Sequence, residues 1–412
     1  MRRVVVTGMG VVSPIGIGKE KLWEGVKEAR IGVDKIRSFD ASNLPVQIAA
    51  EVRDFNPADY IDKKLARRTD RFVHFALAAT KEAVKESGID FSRYSERTAV
   101  IIGSGMGGFI TLDNENNKFL AHGYSKVSPF LIPMILIDMA SGIVAMEYKL
   151  KGPNFATVSA CASSLHAVAL GVMMIKQGLV DVAVVGGSEA TIAPLPIVGF
   201  ANMRALSTRN DDPKAASRPF DRNRDGFVMG EGGGILILEA EEVAKEREAK
   251  ILAEIKGVGM TDDAYHMSAP DPEGDGAKRA MELALEDSGL SIEDIDYVNC
   301  HATSTPAGDK AELKAIKRLF GEKASDVSIN SSKALVGHLL GAAGIVELII
   351  SILEMKESFV HAMPNFDEPD EEAEGMGVVG KEPVKREIRN LIKNSFGFGG
   401  HNVSLVVGRY EP

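Results

Sequence analysis

Short apolar runs ending on glycine alternate along this chain with longer stretches in which apolar positions recur at helical spacing. The runs in RRVVVTGMG, RTAVIIGSG, VDVAVVGGSEA and GGGILILEA are rich in valine and isoleucine and predict strands, as does the looser NFATVSA. Between them, RFVHFALAATKEAVKESG and SSLHAVALGVMMIKQG predict helices. Alternation of this kind is the signature of an α/β fold.

The charged stretch AEEVAKEREAK interrupts the pattern around 240–250, and a second series then begins. It runs through KILAEIKGVGM, AKRAMELALEDSG, DIDYVNCHA, DVSINSS, GHLLGAAGIVELIISILEMK and NVSLVVG. Each series opens with a strand ending in a glycine-rich turn and continues with an amphipathic helix ending in ESG or DSG. Each later sets a small-residue turn between a strand and a small-residue helix, TVSACASSLHAVALGV in the first and SINSSKALVGHLLGAAGIVEL in the second. The order predicts an internal duplication, with two similar α/β halves at 1–250 and 251–412. Ala342, Ala343 and Gly344 let a helix approach its neighbours closely, which suits helices buried between sheets.

At 412 residues, 45% of them hydrophobic, the chain has material for two fused cores. Its two cysteines make no disulfide framework, and a reducing cytoplasm is expected. MRRVVVTGMG runs straight into a strand-like segment, so no secretory signal is expected, and GIVELIISILEM is too short to span a bilayer and carries Glu347. The net charge of −10 argues against nucleic-acid binding, while leaving room for a local basic patch that recruits an acidic partner. No H-x-x-x-H or C-x-x-C spacing occurs, so no metal site is expected. VVVTGMGVVSPIGIG and GSGMGG imitate dinucleotide-binding turns. In the first, Pro14 and the long spacing from Gly8 to Gly16 spoil the turn, and the second lacks the helix, strand and acidic residue that should follow.

Three residues are candidates for chemistry. Cys161 follows a strand and stands where a helix begins, a position that favours the thiolate and draws its pKa from ~8.5 toward neutrality. Small neighbours leave room beside it for a substrate carbonyl, although position alone leaves nucleophile and small core filler equally open. His301 ends an apolar strand ahead of a hydroxyl-rich turn, and His338 opens a small-residue helix. Imidazoles are expensive to bury among such residues without partners, which points to a site. Cys300 faces away from His301 in an extended chain and is expected in the core. Histidines 74, 122, 166, 266, 361 and 401 are expected to be structural or on the surface.

TVSACASS, HATSTPAGD, NSSKALVGHLLGAAG and NSFGFGGHN resemble the motifs of the elongating β-ketoacyl-acyl-carrier-protein synthases. MRRVVVTGMGVVSP, RALSTRNDDPKAASRPFDRNRDGFVMGEGGG and TDDAYHMSAP extend the resemblance over essentially the whole chain. VMGEGGG and DAYHM are more similar to the type II synthase of fatty acid elongation than to the type I enzyme. The resemblance implies the thiolase fold, two duplicated α/β halves in a five-layered α-β-α-β-α arrangement. Under it Cys161 matches the nucleophile, and His301 and His338 match the paired active-site histidines. Lys333 and Glu347 match the charged support around the second histidine, with Asp309 also in a supporting place. Phe398 matches a gate residue whose backbone N–H joins that of Cys161 in an oxyanion hole. Thr303 and Thr305 match hydroxyls that hold a phosphopantetheine arm. Met106 stands where relatives gate chain length, in an apolar pocket near the dimer interface. Leu131 stands where some relatives have an aromatic, and a smaller group there is expected to admit longer or branched chains.

The reaction so implied is decarboxylative Claisen condensation of malonyl-acyl-carrier protein with an acyl group held on Cys161, giving a 3-oxoacyl product. It implies a homodimer and no cofactor beyond the carrier's phosphopantetheine arm. NSFGFGGHN lacks the second cysteine that a thiolase-type enzyme uses as base, and His338 stands where an initiating synthase has Asn. A polyketide-type ketosynthase shares the same motifs. A chain-length-factor-like subunit would lack Cys161, and a nucleotide-dependent oxidoreductase is a more distant alternative. Ala302 stands where Gly is commoner and His401 where Thr is usual, departures that touch the pocket and not the reacting groups. The acidic carrier needs a basic patch, and DKKLARRTDR offers Lys63, Lys64, Arg67 and Arg68 with i/i+4 spacing on one helical face.

Overall fold

The computed structural model describes residues 1–412. Strands β1 (Val4–Ser13), β2 (Thr98–Gly103), β3 (Asn154–Phe155), β4 (Val182–Glu189) and β5 (Gly232–Ala240) belong to the first half. Strands β6 (Ala253–Asp262), β7 (Tyr297–Asn299), β8 (Ser328–Asn330), β9 (Asn390–Gly397) and β10 (His401–Gly408) belong to the second. The first set is ordered β3-β2-β4-β5-β1 and the second β8-β7-β9-β10-β6, and β1 pairs with β6 to join them. Strand sense repeats as well. The two pairings at the β3 and β8 ends are parallel, and the next two in each half are antiparallel. Order and sense together are what a duplicated unit produces.

Helices α1 (Arg71–Ser87), α2 (Ser163–Lys176), α3 (Asp275–Ser288), α4 (Pro306–Phe320) and α5 (Ala343–Glu357) supply the other layers. α1 covers the outer face of β1, β5 and β4, burying Phe72, Phe75, Ala76 and Ala79 while Lys81 and Lys85 face water. α3 does the same for β6 and β10, with α4 beside it. α2 and α5 lie between the half-sheets: α2 packs on β4, β2 and β10, α5 on β9, β5 and β1, and the two touch each other. This is the five-layered arrangement that the resemblance implies. Every α5 residue from Ala343 to Met355 is buried, because a helix with a sheet on each side has no solvent face.

Glycine sets the spacing of the outer layers. A Cβ on Gly8 or Gly10 of β1 would overlap the carbonyls of Ala83 and Ala79 in α1, and one on Gly257 or Gly259 of β6 those of Ala284 and Ala280 in α3. The same two close approaches recur in both halves. Two elements differ from expectation. NFATVSA keeps only two residues in a strand before becoming the loop that leads to Cys161. β9 is an unforeseen central strand, since Lys393, Asn394 and Ser395 break its apolar run although all three are fully buried. Cys300 lies in the second half's core, as expected. No helix is long and apolar enough to cross a membrane.

Candidate active site

The loop after β3 turns sharply before α2, with Ala160 in the left-handed region at φ 49° and residues 160–162 in a single 3-10 turn. Ser163 ties the corner down. Its hydroxyl donates to the Ala160 carbonyl at 2.6 Å and accepts the Ser159 amide at 3.0 Å. Cys161 stands at the apex. Its sulfur lies 3.1 Å from Nε2 of His338.

His338 is held on both sides of its backbone: its amide donates to the Val228 carbonyl at 2.7 Å, and its carbonyl accepts the Gly230 amide at 2.8 Å. The Phe227 ring stands edge-on to its imidazole, 5.1 Å away. His301 leaves the end of β7, where the Glu312 carboxylate of α4 accepts the amides of His301 and Ala302 at 2.9 and 2.7 Å. The two imidazoles face one another with centroids 5.3 Å apart and planes at 84°. Lys333 reaches His301, its Nζ 3.5 Å from Nδ1, and not His338, the histidine expected to receive this support. An ammonium only donates, so Nδ1 of His301 keeps its lone pair and the ring proton sits on Nε2. Burial, reinforced by Lys333, holds both imidazoles well below the ordinary histidine range, and they are neutral.

The thiol is a correction. Burial pushes Cys161 up to about 12, against the opposing pull of Lys333, so the resting group is a thiol beside a neutral imidazole. A helix terminus alone would favour the thiolate, but desolvation of the sulfur outweighs it.

Cys161, His301 and His338 open onto one cavity of about 450 Å³, also lined by Thr303, Thr305, Met106 and Phe398. The two threonine hydroxyls are 3.0 Å apart. Gly397 presses so close to the elbow that a Cβ on it would stand 3.2 Å from the Cys161 amide nitrogen, which sets the Phe398 loop beside that amide. Lys333 and Glu347 lie behind the cavity, joined at 2.6 Å and both fully buried. Asp309 is a loop anchor, accepting the amides of Ser304 at 3.0 Å and Phe220 at 2.9 Å. Burial raises its carboxyl to about 6. Leu131 does not line this cavity. Lys63, Lys64, Arg67 and Arg68 are at least partly exposed, but the helix there is one turn, Lys63–Ala66, and Arg68 leaves it to stack on Phe130 at 4.5 Å. Arg67 stays beside Lys63 as expected, its Nε donating to the Lys63 carbonyl at 3.2 Å, while Arg68 departs from the expected pairing with Lys64.

Three participants are not evident in the sequence. Arg204 lines the cavity and is exposed. Lys393 is buried against Glu347 at 2.6 Å. Glu189, at the end of β4, accepts the amides of Gly105, Met106 and Gly341 at 2.7, 3.1 and 2.9 Å and the Ser104 hydroxyl at 2.9 Å. The glycine-rich turn of GSGMGG does bind a carboxyl group, and it is the chain's own Glu189.

The model of the Beta-ketoacyl synthase N-terminal domain matches residues 1–244, and that of its C-terminal domain residues 252–367. The chain is 46% identical over 409 residues to "3-oxoacyl-[acyl-carrier-protein] synthase 2" of Coxiella burnetii (strain RSA 493 / Nine Mile phase I), with 99% of each chain covered. It is 45% identical to the protein of that name from Staphylococcus aureus (strain COL), covering 100% of this chain and 99% of the relative. A solved type II PKS acyl-carrier protein in complex with its ketosynthase bound to the hexaketide matches with a TM-score of 0.92 at 29% identity, covering 99% of this chain and 100% of that one.

Proposed function

The chain belongs to the β-ketoacyl synthase family, and from that premise we propose that it condenses malonyl-acyl-carrier protein with an acyl group held on Cys161 in fatty acid elongation. The observation that carries this reading is the Cys161 sulfur at 3.1 Å from His338, with His301 facing the same cavity.

Acyl transfer comes first. Cys161 attacks the thioester of the incoming acyl carrier, its proton goes to the departing carrier thiolate, and the acyl group is stored as a thioester on the enzyme. Amides at the elbow and at Phe398 stabilise the tetrahedral oxyanion. Malonyl carrier protein then enters and loses CO2, and negative charge gathers on its thioester oxygen. The Nε2–H groups of two neutral imidazoles meet that charge, and such donors contribute roughly 3–4 kcal/mol each. The enolate carbon attacks the stored acyl group, a carbon–carbon bond forms, and the Cys161 thiolate leaves. Its high pKa draws a proton back and resets the thiol.

No cofactor of the enzyme's own enters this sequence, since the carrier's phosphopantetheine arm brings both substrates past Thr303 and Thr305. Carrier docking on Lys63, Lys64, Arg67 and Arg68 is supported by their exposure and by a structural relative described with an acyl-carrier protein. The enzyme acts as a homodimer. The open edge of β3 and exposed apolar side chains such as Phe119, Leu120, Ile132 and Phe155 support this. Two free cysteines suit a reducing cytoplasm. The polyketide-type reading is disfavoured by 46% identity to a 3-oxoacyl synthase against 29% to the polyketide complex, and Cys161 disfavours a non-catalytic subunit.

The test uses malonyl- and acyl-carrier protein with the wild type beside Cys161→Ala. The variant is expected to release CO2 from malonyl carrier and to form no 3-oxoacyl product. Product formation without the sulfur would end the proposal.

A further inference from the structure

Lys393 takes no part in the steps above, yet it is fully buried on β9 and its ammonium faces three acceptors inside the protein. Glu347 Oε2 lies at 2.6 Å, the Asn394 carbonyl at 2.7 Å and the Cys300 carbonyl at 3.5 Å. Glu347 shares its other oxygen with Lys333 at 2.6 Å, and Lys333 in turn stands 3.5 Å from His301 Nδ1. A single carboxylate thus sits between two fully buried ammonium groups. Burying a second cation beside one carboxylate is costly, and the Lys333–Glu347 pair would be balanced without it.

The geometry suggests what the second cation does. With Lys393 holding Oε2, Lys333 is confined to Oε1 and keeps an N–H for Nδ1 of His301. Without Lys393, Oε2 would be a buried anionic oxygen lacking a partner, and the Lys333 ammonium would be drawn across both oxygens and away from the imidazole. The other titratable groups around His301 do not replace this contact. Glu312 of α4 is engaged with the amides of residues 301 and 302, Cys300 points into the core, and His338 and Cys161 lie across the cavity.

We propose that Lys393 is a positioning residue for His301. Through Glu347 it fixes Lys333 against Nδ1, and so keeps the imidazole proton on Nε2, facing the oxygen where charge develops. The role in catalysis rests on the function proposed above; the tautomer does not. Lowering of the imidazole pKa by Lys393 as well as Lys333 agrees with this placement.

The experiment is nitrogen-15 NMR of histidine-labelled enzyme, wild type beside Lys393→Met, with both half-reactions measured on each protein. In the wild type His301 is expected as the Nε2–H tautomer, and a wild-type Nδ1–H tautomer overturns the proposal whether or not the variant folds. In Lys393→Met the tautomer becomes mixed and the imidazole titrates higher by about one pH unit. Malonyl decarboxylation falls roughly 10- to 100-fold, the scale seen when outer partners that orient a histidine are removed, while acylation of Cys161 changes little. An unchanged tautomer, or equal loss in both half-reactions, overturns it. A wild type with the expected tautomer and no decarboxylation would remove the proposed reaction and leave the positioning role standing.

Discussion

Ala160 and Leu340 stand at corresponding corners of the two halves, with φ of 49° and 48°, each opening a 3-10 turn that leads into a helix of the central layer. At the first corner the next residue is Cys161, whose sulfur faces a cavity. At the second it is Gly341, whose amide donates to Glu189 at 2.9 Å. A Cβ on Gly341 would overlap the Gly105 amide nitrogen and stand 2.6 Å from the Glu189 carboxylate. The strained turn is therefore scaffold common to both halves, and chemistry depends on what faces its apex. The Cys161 apex faces imidazoles supplied by the second half. The Gly341 apex is closed by a buried carboxylate and a glycine turn from the first half, which leave no room for a substrate.

The comparison breaks most severely if the imidazoles are removed from the Cys161 apex. His338→Ala and His301→Ala are each expected to slow CO2 release from malonyl carrier by about 10²–10³-fold, measured as initial rates. Because burial holds both rings well below the ordinary range, the wild-type rate should stay level as pH falls through ~6.5, with the acid limb lower. A limb at the ordinary histidine value would mean that these rings are solvated.

Filling the Gly341 apex tests the other side. Gly341→Ala forces a methyl group against Gly105 and Glu189 and is expected to lower stability by about 2–3 kcal/mol, read from denaturant midpoints. Cys161→Ala at the matching position, next to a cavity, should cost under about 1 kcal/mol. Equal costs would mean that the two corners are alike in packing as well as in backbone. The smallest effect belongs to the surface. Changing Lys63, Lys64, Arg67 and Arg68 to Glu should raise the carrier-protein KM by roughly tenfold and leave small thioesters unaffected; equal loss on both would reject docking there.

Much of this is legible in the sequence. Valine-rich strands buried on both faces and amphipathic outer helices announce themselves by pattern, and the repeated order of turns and helices points to the duplication. Cys161, His301 and His338 stand out as polar residues in apolar, small-residue settings. What stays hidden is polarity that is buried for the site's sake. β9 reads as a polar segment because Lys393, Asn394 and Ser395 face the site and the core, so neither the strand nor its lysine is evident from pattern. Glu189 resembles an ordinary strand end until Gly105, Met106 and Gly341 converge on its carboxylate, a convergence of segments distant in the chain. The Cys161 thiol misleads for the same reason: a helix start is visible locally, while the surrounding walls that desolvate the sulfur come from elsewhere in the chain.

The central claim is that the Cys161 elbow stores the acyl chain on its sulfur. The direct measurement is mass spectrometry of the intact enzyme after incubation with acyl-carrier protein alone, followed by peptide mapping. One acyl increment on the peptide bearing Cys161 is the predicted result. An increment on Cys300, or condensation proceeding with no adduct on either cysteine, would contradict it.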